Sequence, residues 1–191
     1  MYEVGDILIT RKSPGHVIMV CEGGSTSKAK VIHAQWRKNF HIEPVQQSKS
    51  TGSGTNYTYL DDNVDKYSPP WGKREDKALK QQHLVKVARF IMQSAEYGLY
   101  RAFRLWAGND TYGKSAKSRL EKYQKRLNGL ETTGTLTKKR IKFVTTITCS
   151  EAVILCYQLT FAESDPLFIK LDAAHSMPHT LGNYLKDQGW G

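Results

Sequence analysis

Cys149 lies in the run Thr145-Thr146-Ile147-Thr148-Cys149-Ser150-Glu151-Ala152-Val153-Ile154-Leu155, where a polar, β-prone stretch turns into an apolar, helix-compatible one. That position is a predicted helix N-terminus, where aligned peptide dipoles favour thiolate and lower the thiol pKa. Near the other end of the chain, His16 in Gly15-His16-Val17-Ile18-Met19-Val20 opens an apolar, strand-like run and offers a base. A cysteine nucleophile and a histidine distant in sequence are the parts of acyl-transfer chemistry. The competing reading is structural, because a cysteine at a helix start is commonly a small buried apolar residue. Cys156, seven residues on among Leu155, Tyr157 and Leu159, reads as an inert core thiol on the same helix face.

To meet, these groups need a sheet that presents the histidine and a helix that presents the thiol. Four strands are expected in the first 45 residues: Asp6 to Thr10, His16 to Cys21, Lys30 to Gln35, and Phe40 to Val45. The last is an edge strand, since Pro44 has no N–H to donate. Gln46 to Asp76 is polar, glycine-rich and broken by Pro69-Pro70, and reads as a long loop rather than a linker. Its Tyr57, Tyr59, Tyr67 and Trp71 suggest that part of it packs beside or over the site. Leu84, Ala88, Ile91 and Ala95 recur at helical spacing and predict a helix from Asp76 to Tyr97, stopped by Gly98. Gly108-Asn109-Asp110 announces a second helix with the stripe Ala116, Leu120, Tyr123 and Leu127, ended by Gly129. Thr132-Thr133-Gly134 reads as a turn, Ile141 to Ile147 as extended, and Ser150 to Leu159 as the thiol-bearing helix. Thr180 to Gln188 is a short last helix. The sum is an α+β fold, a small antiparallel sheet packed against helices, in one domain over residues 1–191.

Three cysteines in 191 residues are too few and too scattered for a disulfide framework, and reduced thiols are expected. His41, His83, His175 and His179 read as surface, boundary or capping residues, and none of the histidines has metal-ligand spacing. No apolar run approaches the ~20 residues of a membrane-spanning helix, and Ile7-Leu8-Ile9 is too short for the core of a signal peptide. A net charge of +10 attracts polyanions, and much of the excess lies between Lys114 and Lys142. No zinc finger, aromatic RNA-binding motif or helix-turn-helix accompanies it, so no specific nucleic-acid binding is expected and the basic helix reads as a solvated face.

Three segments together carry a resemblance: Gly5-Asp6-Ile7-Leu8-Ile9, then Gly15-His16-Val17-Ile18-Met19-Val20, then Val31-Ile32-His33-Ala34. They resemble the core of NlpC-like cell-wall peptidases and of their circularly permuted relatives, the lecithin-retinol-acyltransferase-like branch. In ordinary NlpC-like peptidases the nucleophile precedes the histidine strands. Here Thr148-Cys149-Ser150-Glu151 follows them, in the order of the permuted papain-like branch. Ile18-Met19 replaces the usual step to a small residue and an aromatic, and residues 25–30 lengthen the gap between the histidines.

The resemblance implies a permuted papain-like fold with Cys149 as nucleophile, His16 as its base, and His33 as the third member orienting the His16 ring. Glu43 stands in reserve for that third place. The oxyanion would be held by the backbone N–H of Cys149 and a side-chain donor, for which Tyr100 is the candidate. The implied activity is a cysteine hydrolase that cleaves an amide through an acyl-thioester and needs no cofactor. The expected substrate is a peptidoglycan stem peptide, which suits a basic protein meeting an anionic wall. Such chemistry without a signal peptide suggests an antibacterial effector, cytoplasmic in its producer, delivered by a secretion system and held by an immunity protein. Two alternatives stand beside it: a lipid-directed thioesterase or acyltransferase on the same fold, and a non-catalytic polyanion-binding module with Cys149 buried.

Overall fold

The computed structural model describes residues 1–11, 15–35, 39–45, 49–52, 55–58, 64–98, 110–133 and 146–191. The fold is α+β, with an antiparallel five-stranded sheet and, among the described residues, four helices. The sheet is built from β1 (Ile7–Thr10), β2 (Val17–Glu22), β3 (Lys30–Gln35), β4 (Asn39–Pro44) and β7 (Val64–Tyr67), in the order β4-β3-β2-β1-β7. β4 is an edge strand, where the missing N–H of Pro44 costs no ladder bond.

Alternation along the strands divides the apolar residues between two faces. Ile7, Ile9, Val17, Met19, Cys21 and Ile32 join the main core with the helices. Leu8, Ile18, Val20 and Val31 form a smaller cluster with Ala29 and Val45. At the centre of the main core lies α3 (Cys149–Thr160), all twelve of whose residues are buried. A helix apolar on every side must be enclosed on every side. α3 contacts β2 and β3, α1 (Lys77–Ser94), α2 (Lys114–Thr133) and α4 (Pro178–Asp187). Tyr157 on α3, itself fully buried, donates its hydroxyl hydrogen bond to the carbonyl of Gly5 just before β1. Gln158 Nε2 donates to the carbonyls of Ile169 and Leu171 at 2.8 and 2.7 Å, tying the segment after α3 back onto it.

Several elements differ from the sequence expectation. Residues 46–76 are not one long loop. They contain β5 (Lys49–Gly52) paired with β6 (Thr55–Thr58), and then β7, which pairs along the outer side of β1. The backbone groups of β1 on that side need partners, and a four-residue strand is enough to supply them. Of the aromatics expected near the site, Trp71 is buried in the main core, 6.0 Å from Phe161 between ring centroids. Tyr67 lies on β7 against the same core, and Tyr59 falls outside the described residues. α1 ends at Ser94, and Glu96–Tyr97 forms β8, parallel to β9 (Thr146–Ile147). α2 begins at Lys114 and runs through Gly129, Thr132 and Thr133, so neither the expected stop nor the expected turn is found there. A single glycine within a helix costs about 1 kcal/mol, too little to end one on its own. Residues 134–145, including most of the expected run from Ile141, lie outside the described residues. Among the described residues no helix is long and apolar enough to cross a membrane.

Candidate functional site

The structure puts Cys149 at the first helical position of α3. Thr148 caps the helix in extended conformation, φ −94° and ψ 169°. Its Oγ1 accepts the Glu151 N–H at 3.3 Å, and Glu151 Oε2 accepts the Thr148 N–H at 3.4 Å. This reciprocal box satisfies two backbone donors of the first turn and fixes where the helix starts, and therefore where the thiol points. Ser150 adds a second anchor: its Oγ donates to the Ser176 carbonyl at 2.6 Å, and Ser176 Oγ donates to the Asp172 carbonyl at 2.8 Å. The Asp172 carboxylate is held by Arg119 of α2 and by His175 Nδ1 at 2.8 Å. α2 and the 172–176 turn thus brace the first turn of α3, which begins at Cys149, from behind.

His16 sits at the head of β2. Its N–H donates to Thr10 Oγ1 at 2.7 Å and its carbonyl accepts the Thr10 N–H at 3.0 Å, so its backbone is clamped to the end of β1. Gly15, immediately before it, has φ +74°, and a Cβ there would come within 2.9 Å of Pro178 Cβ at the start of α4. Glycine is required to bring the chain this close while turning into β2. The two segments converge here: the backbone N–H of Val17, the residue next to His16, acts on Cys149 in the sense that favours its thiolate. Both Cys149 (5% exposed) and His16 (7% exposed) are buried.

The thiol pKa moves opposite to the sequence expectation. Burial pushes Cys149 up from its ordinary value of 9.0, and the N–H groups of Val17, Ser150 and Cys149 itself pull it down less than burial raises it. The helix N-terminus does act in the expected sense, but a desolvated thiolate costs more than the donors of one turn return. Cys156 is also buried, and its thiol is pushed up by burial alone, as befits a core residue.

His33 lies on β3 directly across from Ile18, two positions along β2 from His16, and across from His41 on β4. Glu43 stands opposite Val31, which faces Val20, so its register is further from His16 than that of His33. Tyr100 falls outside the described residues. His175 is engaged by Asp172, His179 is exposed and His83 half-buried. Among the described residues no group of three His, Cys, Asp or Glu side chains is arranged to hold a metal ion.

Two features of the site escaped the sequence reading. The capping box was legible as Thr-x-x-Glu at 148–151, a pattern with a known mechanism. The Ser150–Ser176–Asp172 brace had no sequence signal, because it joins residues whose proximity depends on the fold. Comparison with protein-family models, curated proteins and solved structures finds no match to this chain.

Proposed function

We propose that this protein is a cysteine hydrolase of permuted papain-like fold, cleaving an amide bond through an acyl-thioester on Cys149. The observation that carries this reading is the meeting of α3 with β2: a capped helix starts at Cys149, packs on β2, and brings the thiol under the influence of the N–H of Val17, the residue after His16. In the reaction the Cys149 sulfur attacks the substrate carbonyl carbon while His16 takes the thiol proton. His16 returns that proton to the departing amine, leaving a thioester. It then removes a proton from water, whose oxygen attacks the thioester, releases the carboxylic acid and restores the thiol. Because burial favours the neutral thiol at rest, His16 works as a general base during attack rather than as a standing ion-pair partner. The Cys149 N–H, one of the donors left over at the helix start, is the proposed oxyanion donor. His33 is the proposed orienting residue, with Glu43 the alternative.

The proposed substrate is a peptidoglycan stem peptide, and a net charge of +10 favours accumulation at an anionic wall. The proposed setting is antibacterial attack on a neighbouring cell, opposed by an immunity protein. Wild type and Cys149→Ala are incubated with purified peptidoglycan, and the soluble products are read by mass spectrometry. New muropeptides with wild type alone support the reading and identify the bond. If neither protein releases fragments and wild type instead frees fatty acid from a lipid ester, the lipid-directed alternative replaces it. Inertness in both assays returns Cys149 to a structural role.

A further inference from the structure

A groove of about 610 Å³ opens at the opposite end of β2 from the Cys149 site. Cys21 stands on one wall, four residues beyond Val17 and so roughly 13 Å along the strand. The other wall is a single face of α1, on which Val85, Arg89 and Gln93 recur at helical spacing beside Lys86 and Phe90. Val4 also lines the groove, and Gln81 Nε2 donates to its carbonyl at 3.1 Å. The size falls within the range of small-molecule sites.

The lining has a polarity. Val4, Cys21, Val85 and Phe90 supply an apolar bed. Lys86 and Arg89 supply two cations, and among the described residues that line the groove none is acidic. Lys86 Nζ lies 5.9 Å over the Phe90 ring, at the boundary between bed and charge. Arg89 makes no ion pair among the described residues, so its fork of donors is available to a ligand. A planar guanidinium beside an apolar trough matches a carboxylate attached to an apolar chain. An extended peptide is a poorer fit, because β2 is already paired on both sides by β1 and β3 and offers no strand edge.

We propose that this groove binds a single-chain carboxylate amphiphile of the fatty-acid class, its carboxylate on Arg89 and Lys86 and its chain along Val4, Val85 and Phe90. The test is a fluorescence titration of the full chain with cis-parinarate below its micellar concentration, followed by competition with dodecanoate and with dodecyltrimethylammonium. Expected is saturable one-to-one binding, displaced by dodecanoate and not by the ammonium amphiphile. Arg89→Glu weakens it about tenfold or more by replacing an attractive charge with a repulsive one. Ala78→Trp weakens it by filling the groove. Both positions are exposed, so circular dichroism of the variants should match wild type. Dodecanoate should slow alkylation of Cys21 and leave that of Cys149 unchanged, and Cys149→Ala should bind parinarate as wild type does. The proposal is overturned by absence of saturable binding, by binding that both variants leave unchanged, or by equal displacement with the ammonium amphiphile. An acidic apolar peptide that binds where parinarate does not would assign the groove to a protein partner instead.

Discussion

Cys149 and His16 are positioned by backbone contacts that do not depend on their own side chains: the Thr148 cap for one, the Thr10 clamp for the other. Substituting either should therefore disturb chemistry more than folding. For His16→Ala we expect kcat to fall about 10²–10⁴-fold with little change in KM, the range for loss of a general base. Site-resolved alkylation by iodoacetamide separates general-base action from a resting ion pair. Burial holds the thiol above its ordinary 9.0, so the Cys149 rate should climb only as pH passes 9, and His16→Ala should leave that profile in place. An inflection below pH 7 that disappears in His16→Ala would instead establish a standing thiolate–imidazolium pair. The expectation of a lowered thiol pKa went astray because the helix terminus can be read from sequence, whereas the depth of burial against it cannot. The sequence placed His33 ahead of Glu43 for the third position, and strand pairing adds that His33 lies nearer the row of His16.

The helix and the turn that aim these side chains carry their own consequences. Thr148→Ala removes the cap of α3 and should cost about 1 kcal/mol, seen as a fall in Tm of about 2–4 °C. Thr148→Ser keeps the oxygen and should restore most of it; equal loss in both variants would mean the methyl packing, not the hydrogen bond, is what matters. Gly15→Ala and Gly72→Ala form a matched pair, both at positive φ (74° and 55°). A Cβ on Gly15 meets Pro178 at 2.9 Å, while one on Gly72 meets nothing within 4 Å. The Gly15 variant should lose more stability than its partner, and kcat/KM with it, because the collision lies one residue from His16. Equal losses would show that α4 yields without cost. At this scale the sequence was a good guide wherever an apolar run or period was long enough: β1 to β4 form within a residue or so of where they were expected, and the stripes of α1 and α2 face the core as spaced. It failed where an element owes its existence to a neighbour. β7 is four residues of mixed burial that pair with β1, and no local pattern of that length distinguishes it from a loop.

Across the whole molecule, folding buries thiols and phenols together. Cys21 is pushed up to about 11 by burial, and Tyr112 to about 12. Cys149, Cys156 and Tyr157 are raised by the same cause inside the main core. In the unfolded chain these groups release protons from about pH 9 (thiols) and 10 (phenols) upward, while the folded chain retains them. A raised folded-state pKa contributes stability that is fully present below the unfolded value and is lost as pH rises through the folded one. Here that window opens near 9 and extends past 11 for Cys21. Each group titrating only in the unfolded state steepens the decline by about 1.4 kcal/mol per pH unit. The bulk electrostatics pull the other way, since lysine deprotonation relieves the self-repulsion of a chain carrying +10. A decline is therefore diagnostic of buried acids rather than of net charge. Urea unfolding under reducing conditions at pH 8, 9, 10 and 10.5 should show stability nearly level to 9 and falling beyond it. Cys21→Ala, which removes one such proton at the rim of the core, should make the fall shallower. Stability that holds level or rises to pH 10.5 would mean that these thiols and phenols reach solvent in the folded protein. The proposed resting neutrality of Cys149, which depends on the same burial, would then fail with it.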